Sequence, residues 1–124
     1  MAQSIAAFEK TFVCGASSLE TKQYYIVKQH TDGTAILSSG ATDSHIGVLL
    51  NKPAVGAPAL VRFAGTTKVK AGGAINPGAW VTSDGNGKAI ATTSAGNVVI
   101  GQYLGAAAAA DGDIIEIRMT LFVL

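Results

Sequence analysis

Apolar and polar positions alternate one by one along much of this chain. Ala59, Val61 and Phe63 are interleaved with Leu60 and Arg62, and Thr67, Val69 and Ala71 with Lys68 and Lys70. Near the end, Ile115, Ile117, Met119, Leu121 and Val123 alternate with Glu116, Arg118, Thr120, Phe122 and Leu124. A period of two sends successive side chains to opposite faces of a strand. β-Branched, aromatic or apolar runs predict further strands at Lys10–Cys14, Tyr24–Lys28, Thr34–Leu37, Ile46–Leu50, Ala79–Ser83, Lys88–Thr92 and Val98–Leu104. Turn signals separate them: Asp32-Gly33, Asp84-Gly85-Asn86-Gly87, Ala95-Gly96-Asn97 and Asp111-Gly112. Gly47, inside an apolar strand, marks a bulge or a close backbone approach. Helix signals are slight. Ser4 is placed to cap a short turn through Ile5, Ala6, Ala7 and Phe8, and Ala106–Ala110 is too short for a stable helix and reads as a loop. About nine short strands with almost no helix predict an all-β fold, a small antiparallel β-barrel or β-sandwich.

The pattern also repeats. Laying Tyr24–Leu50 over Gly78–Leu104, an offset of 54, pairs Val27 with Val81, Gly33 with Gly87, Ala35 with Ala89 and Ile36 with Ile90. It further pairs Ala41 with Ala95, Ile46 with Ile100, Gly47 with Gly101 and Leu50 with Leu104. Turn residues match turn residues, and apolar residues match apolar ones. Two internal repeats are therefore expected, repeat one at 24–63 and repeat two at 78–119, within a single β domain spanning 21–124. Residues 1–20 match neither repeat and read as an N-terminal arm. Two copies of one unit build a shared core more readily than a catalytic cleft.

Composition sharpens this picture. Hydrophobic residues make up 48% and charged residues only 14%, against about 25% charged in an ordinary soluble domain. A surface so short of charge is expected to be covered by a partner. The net charge of +1 gives no field that attracts nucleic acid or a membrane surface. Between Ser44 and Ser83 there is no acid, while Lys52, Arg62, Lys68 and Lys70 are basic; lysines on edge strands, where they block stray pairing, account for this. No apolar run approaches the 18 residues of a membrane span. Cys14 is the only cysteine, so no intramolecular disulfide can form, and it reads as a small buried hydrophobe. The start of the chain lacks the features of a secretory signal, and synthesis in a reducing cytoplasm is expected.

Candidate chemistry is sparse. The two histidines, His30 and His45, lack the acid–base or ligand partners that catalysis or metal binding requires. Gly85-Asn86-Gly87-Lys88 is superficially like a phosphate loop, but Thr82 and Ala89 stand where the Walker pattern needs glycine and a hydroxyl. Asp84 and Asn86 supply too few oxygens for calcium, and no serine sits in a Gly-x-Ser-x-Gly elbow. Trp80, the only tryptophan, aligns with Ile26, which favours a core position over a sugar-stacking one. The expectation is a non-enzyme with no cofactor, metal or small-molecule substrate.

Several segments then occur in a familiar order: Asn76-Pro77-Gly78-Ala79-Trp80-Val81, the Asp84–Lys88 turn, Val99-Ile100-Gly101-Gln102-Tyr103-Leu104, and the Ala-rich stretch ending in Asp111-Gly112-Asp113. Over residues 20–119 the chain resembles the small capsid decoration, or cement, proteins of tailed bacteriophages. That resemblance implies a β-rich structural protein of the virion, commonly a homotrimer, made in the bacterial host cytoplasm. Such a protein sits on the outer capsid surface and clamps adjacent subunits of the major capsid protein. On this reading, Phe8, Lys10 and Phe12 of the arm are the expected capsid contacts. Ile117, Met119, Leu121 and Phe122 of the last strand are the expected subunit interface. The alternative is a phage fibre or tail module that binds carbohydrate.

Overall fold

The computed structural model describes residues 8–124; the turn expected after Ser4 lies outside them, save for Phe8. Ten strands are present among the described residues. In the first half they are β1 (Glu9–Val13), β2 (Ile26–Gln29), β3 (Ala35–Leu37), β4 (His45–Leu49) and β5 (Pro58–Arg62). In the second half they are β6 (Thr66–Lys70), β7 (Trp80–Ser83), β8 (Ala89–Ala91), β9 (Val98–Tyr103) and β10 (Ile114–Val123). They form two five-stranded antiparallel sheets, ordered β1-β5-β4-β2-β3 and β6-β10-β9-β7-β8. The expected all-β class is thus present, with a strand at each of the ten segments named from the sequence, where the approximate count was nine. Of the two architectures, the chain adopts the sandwich-like one. Single parallel bridges, Cys14 to Ala35 and Ala71 to Ala89, touch the two edges of each sheet, but among the described residues no continuous ladder closes a barrel.

The sheets share one plan. Ile26 faces Val48 and Val27 faces Gly47 in the first; Trp80 faces Gln102 and Val81 faces Gly101 in the second. Arg62 pairs with Val48, as Arg118 pairs with Gln102. β1 lies against β5 as β6 lies against β10, with Glu9 opposite Arg62 and Thr66 opposite Arg118. The segment expected as an arm therefore enters a sheet at Glu9, as an edge strand. Arg62 reinforces that edge through its ion pair with Glu9.

Local chemistry fixes the turns. Asp32 Oδ1 accepts from the Thr34 N–H at 3.0 Å, and Asp84 Oδ1 accepts from the N–H groups of Asn86 and Lys88 at 2.8 and 2.9 Å. Gly33 and Gly87 complete these hairpins at φ of 88° and 81°, a region costly for other residues. Gly47 and Gly101 have a different reason. A Cβ on either would run into the backbone carbonyl of the next strand, at Arg62 or Arg118.

The interior holds two apolar clusters. One, with Cys14, Leu19, Val27, Leu49 and Val61, is drawn from the first half alone. The other gathers Val69, Val81, Ile100, Ile115 and Ile117 of the second half, together with Ile26 and Val48 of the first. Ile26 and Val48 have no exposed surface, and burying each contributes about 1.5–3 kcal/mol to holding the halves together. Polar contacts reinforce this junction. The N–H of Ile26 donates to Gly87 O at 2.7 Å, that of Val98 to Ala41 O at 2.7 Å, and that of Lys70 to Tyr24 O at 2.8 Å.

Candidate functional site

An apolar groove of about 380 Å³ opens between the two sheets. Phe12, His45, Ile46 and Phe63 line it from the first half; Ile100, Met119, Thr120 and Leu121 line it from the second. The last strand shapes this side. Its alternation places Ile117 inward, but a bulge between Met119 and Phe122 shifts the register against β9. Leu121 is left 61% exposed, while Phe122 packs edge-on against Trp80, with ring centroids 5.0 Å apart. Phe63, at the end of β5, is 41% exposed. Phe8 is exposed beside it, its carbonyl accepting from the Phe63 N–H at 2.9 Å.

Among the described residues, His45 is the one titratable group on the groove wall, and it is spoken for. Its Nδ1 lies 2.8 Å from Ser38 Oγ and its Nε2 3.4 Å from Thr82 Oγ1. The Thr82 hydroxyl donates to Val98 O at 2.7 Å, so it is free only to accept. That assigns the imidazole proton to Nε2 and leaves Nδ1 to accept from Ser38. Burial holds the imidazole pKa below its ordinary value, with Lys28 adding to the effect against the opposing pull of Asp43. The ring is therefore a neutral linker between the halves. Beside it, burial pushes the Asp43 carboxyl up, but the Ser39 N–H, Lys28 and the Ser39 hydroxyl outweigh it and bring the pKa to about 2.

The residues singled out from the sequence fall into distinct places. Phe12, Met119 and Leu121 converge on the groove, although they were assigned to separate contacts. Lys10 is exposed on β1, its ammonium 5.5 Å from the Phe12 ring centre. Ile117 is fully buried in the core, which corrects its expected place at a subunit interface: it has no surface to offer. Trp80 is half-buried rather than enclosed. His30 is exposed beside Asp32, 3.2 Å away. Cys14 is buried, as expected. Phe63 and Ile46 were missed. Both are ordinary apolar strand positions in the sequence, and only the meeting of the two sheets reveals that they share a wall with the last strand.

An antiparallel two-sheet scaffold with an apolar groove between the sheets, whose wall histidine is hydrogen-bonded within the fold, defines a β-rich class of protein. The match to the phage cement protein family over residues 11–121 makes this specific. The chain belongs to that family, and its role is structural and associated with the phage capsid. No curated protein matches the chain. Among solved structures it is similar to the head fiber gp8.5 N base in bacteriophage phi29, with a TM-score of 0.68, 19% identity, and coverage of 90% of this chain and 94% of that one. At that identity, the likeness is one of fold.

Proposed function

We propose that this protein decorates the outer surface of a phage head as a trimer and clamps adjacent major capsid protein subunits, after synthesis in the cytoplasm of the bacterial host. The apolar groove carries this reading. Phe63 and Leu121 line it with 41% and 61% of their surfaces exposed, and Phe8, whose carbonyl accepts from the Phe63 N–H, is 64% exposed; apolar surface of this kind invites cover by protein. The sparse charge of the chain supports the same view. Phe8, Lys10 and Phe12 are the proposed shell contacts, and Met119, Leu121 and Phe122 the proposed subunit contacts. Many modest contacts repeated over a shell hold firmly together where single ones would not. The shared plan of the two sheets supports a duplicated unit as the origin of the chain.

The test is co-sedimentation of purified protein with emptied, expanded heads, paired with light scattering of the free protein. Trimers that pellet with heads, and a Phe8→Ser/Phe12→Ser variant that folds but stays in the supernatant, are expected. A folded wild-type protein that stays in the supernatant overturns the proposal.

A further inference from the structure

The two halves do not meet through a self-complementary surface. The second half places its β7–β8 hairpin on the first: Gly87 O accepts from the Ile26 N–H at 2.7 Å, and Gly85 lies against the carbonyl of Ser39. Were the contact two-fold, the His30–Thr34 hairpin would lie on the second half in the same way. Gly33, the counterpart of Gly87, would then accept from Trp80, the counterpart of Ile26. No such bond exists among the described residues. Thr31, Asp32 and Gly33 are exposed, and so are Thr93, Ser94 and Ala95, the counterparts of Ser39, Gly40 and Ala41. Each chain thus carries one hairpin without a seat and one seat without a hairpin.

We infer that a second copy of this chain supplies both, the His30–Thr34 hairpin of one copy docking beside Trp80 and Thr93–Ala95 of the next. The junction inside the chain is the template, continued from copy to copy. A head-to-tail contact of this kind yields either a ring or an open filament. The groove indicates a ring. Ile46 and Phe63 hold the same places in the first sheet that Ile100 and Met119 hold in the second, and all four line one cavity. Equivalent side chains of neighbouring units converge where a rotation axis runs, and closure around it covers Phe63 and Leu121. The second junction is not a chemical copy of the first. Lys28 stands where Thr82 does, but Asp43 holds its ammonium at 3.0 Å, so no unpaired charge is carried into the contact.

For the copy number, three chains and six halves, this inference rests on the trimer proposed above; the head-to-tail docking stands apart from the capsid. The test is a Thr31→Cys/Thr93→Cys double variant, oxidised at concentrations where light scattering shows the assembled state. These positions correspond to Gly85 and Ser39, which touch within the chain, and native Cys14 is buried out of reach. Expected is near-complete conversion to one closed covalent species of three chains, while each single variant gives dimers at most. Cross-linking no further than the single variants, an unbounded ladder, or a monomeric parent protein overturns the inference. Failure to bind heads by a protein that cross-links into rings would refute the capsid reading and leave this one intact.

Discussion

Replacing Leu121 with Ser removes an apolar side chain that the folded subunit leaves mostly in water. Full burial of a leucine is worth about 1.5–3 kcal/mol. With 61% of Leu121 still exposed, about 1–2 kcal/mol per copy remains for association to gain. Three copies around one axis would lose about 3–6 kcal/mol between them, roughly a 10²- to 10⁴-fold weakening of the trimer at about 1.4 kcal/mol per tenfold. Folding should lose no more than about 0.5–1 kcal/mol, the share of the side chain already buried in the subunit. Sedimentation equilibrium over a dilution series reads the first quantity, and urea unfolding of the dilute protein reads the second. Ile117→Ser is the contrast: fully buried, it should lose about 3 kcal/mol or more of subunit stability, from lost transfer energy and a buried hydroxyl. A Leu121→Ser protein that dissociates no more readily than its parent refutes the placement of the groove at the assembly axis.

Three other outcomes follow from the geometry. Gly47→Ala should cost about 3 kcal/mol or more, because its Cβ collides with the Arg62 backbone carbonyl, whereas Gly56→Ala, with open space and only a φ of 78° against it, should cost about 1–2 kcal/mol; equal urea midpoints would contradict this. His45 has a folded pKa below the ordinary histidine value of about 6.5, so the unfolded chain binds the proton more readily and stability should fall as pH drops below about 6.5, by up to about 1.4 kcal/mol per pH unit. That slope should vanish in His45→Gln and persist in His30→Asn, as read by urea titrations between pH 7.5 and 5. Asp43, lowered from 3.8 to about 2, should contribute stability above pH 3.8 that disappears as pH falls toward 2. Asp43→Asn should therefore cost about 1 kcal/mol at pH 7, after allowance for partial exposure, and nothing near pH 2.

The strands were legible because alternation reports which face is wet, and the hairpins because aspartate and glycine dictate their own backbone geometry. Gly47 was legible for the same reason: a glycine amid Ile46, Val48 and Leu49 has few uses besides close approach. Other features were hidden by their physics. A bulge adds no letter to the alphabet, so nothing in Met119-Thr120-Leu121-Phe122 announces that Leu121 turns outward. β1 shows no residue matching with β6, and its place became visible only through pairing with β5. The groove was beyond reach because it is made by two sheets together, and no single stretch encodes the meeting of Phe12 and Phe63 with Met119 and Leu121.

Each sheet is drawn from one uninterrupted stretch of chain, and the polypeptide passes between them once, through Phe63–Gly65. Synthesis consequently finishes one sheet before the other begins. In that interval Ile26 and Val48, whose cover comes from the second half, stand open to solvent. A ribosome pausing after β5 prolongs the moment at which the nascent chain is most prone to stick to its neighbours.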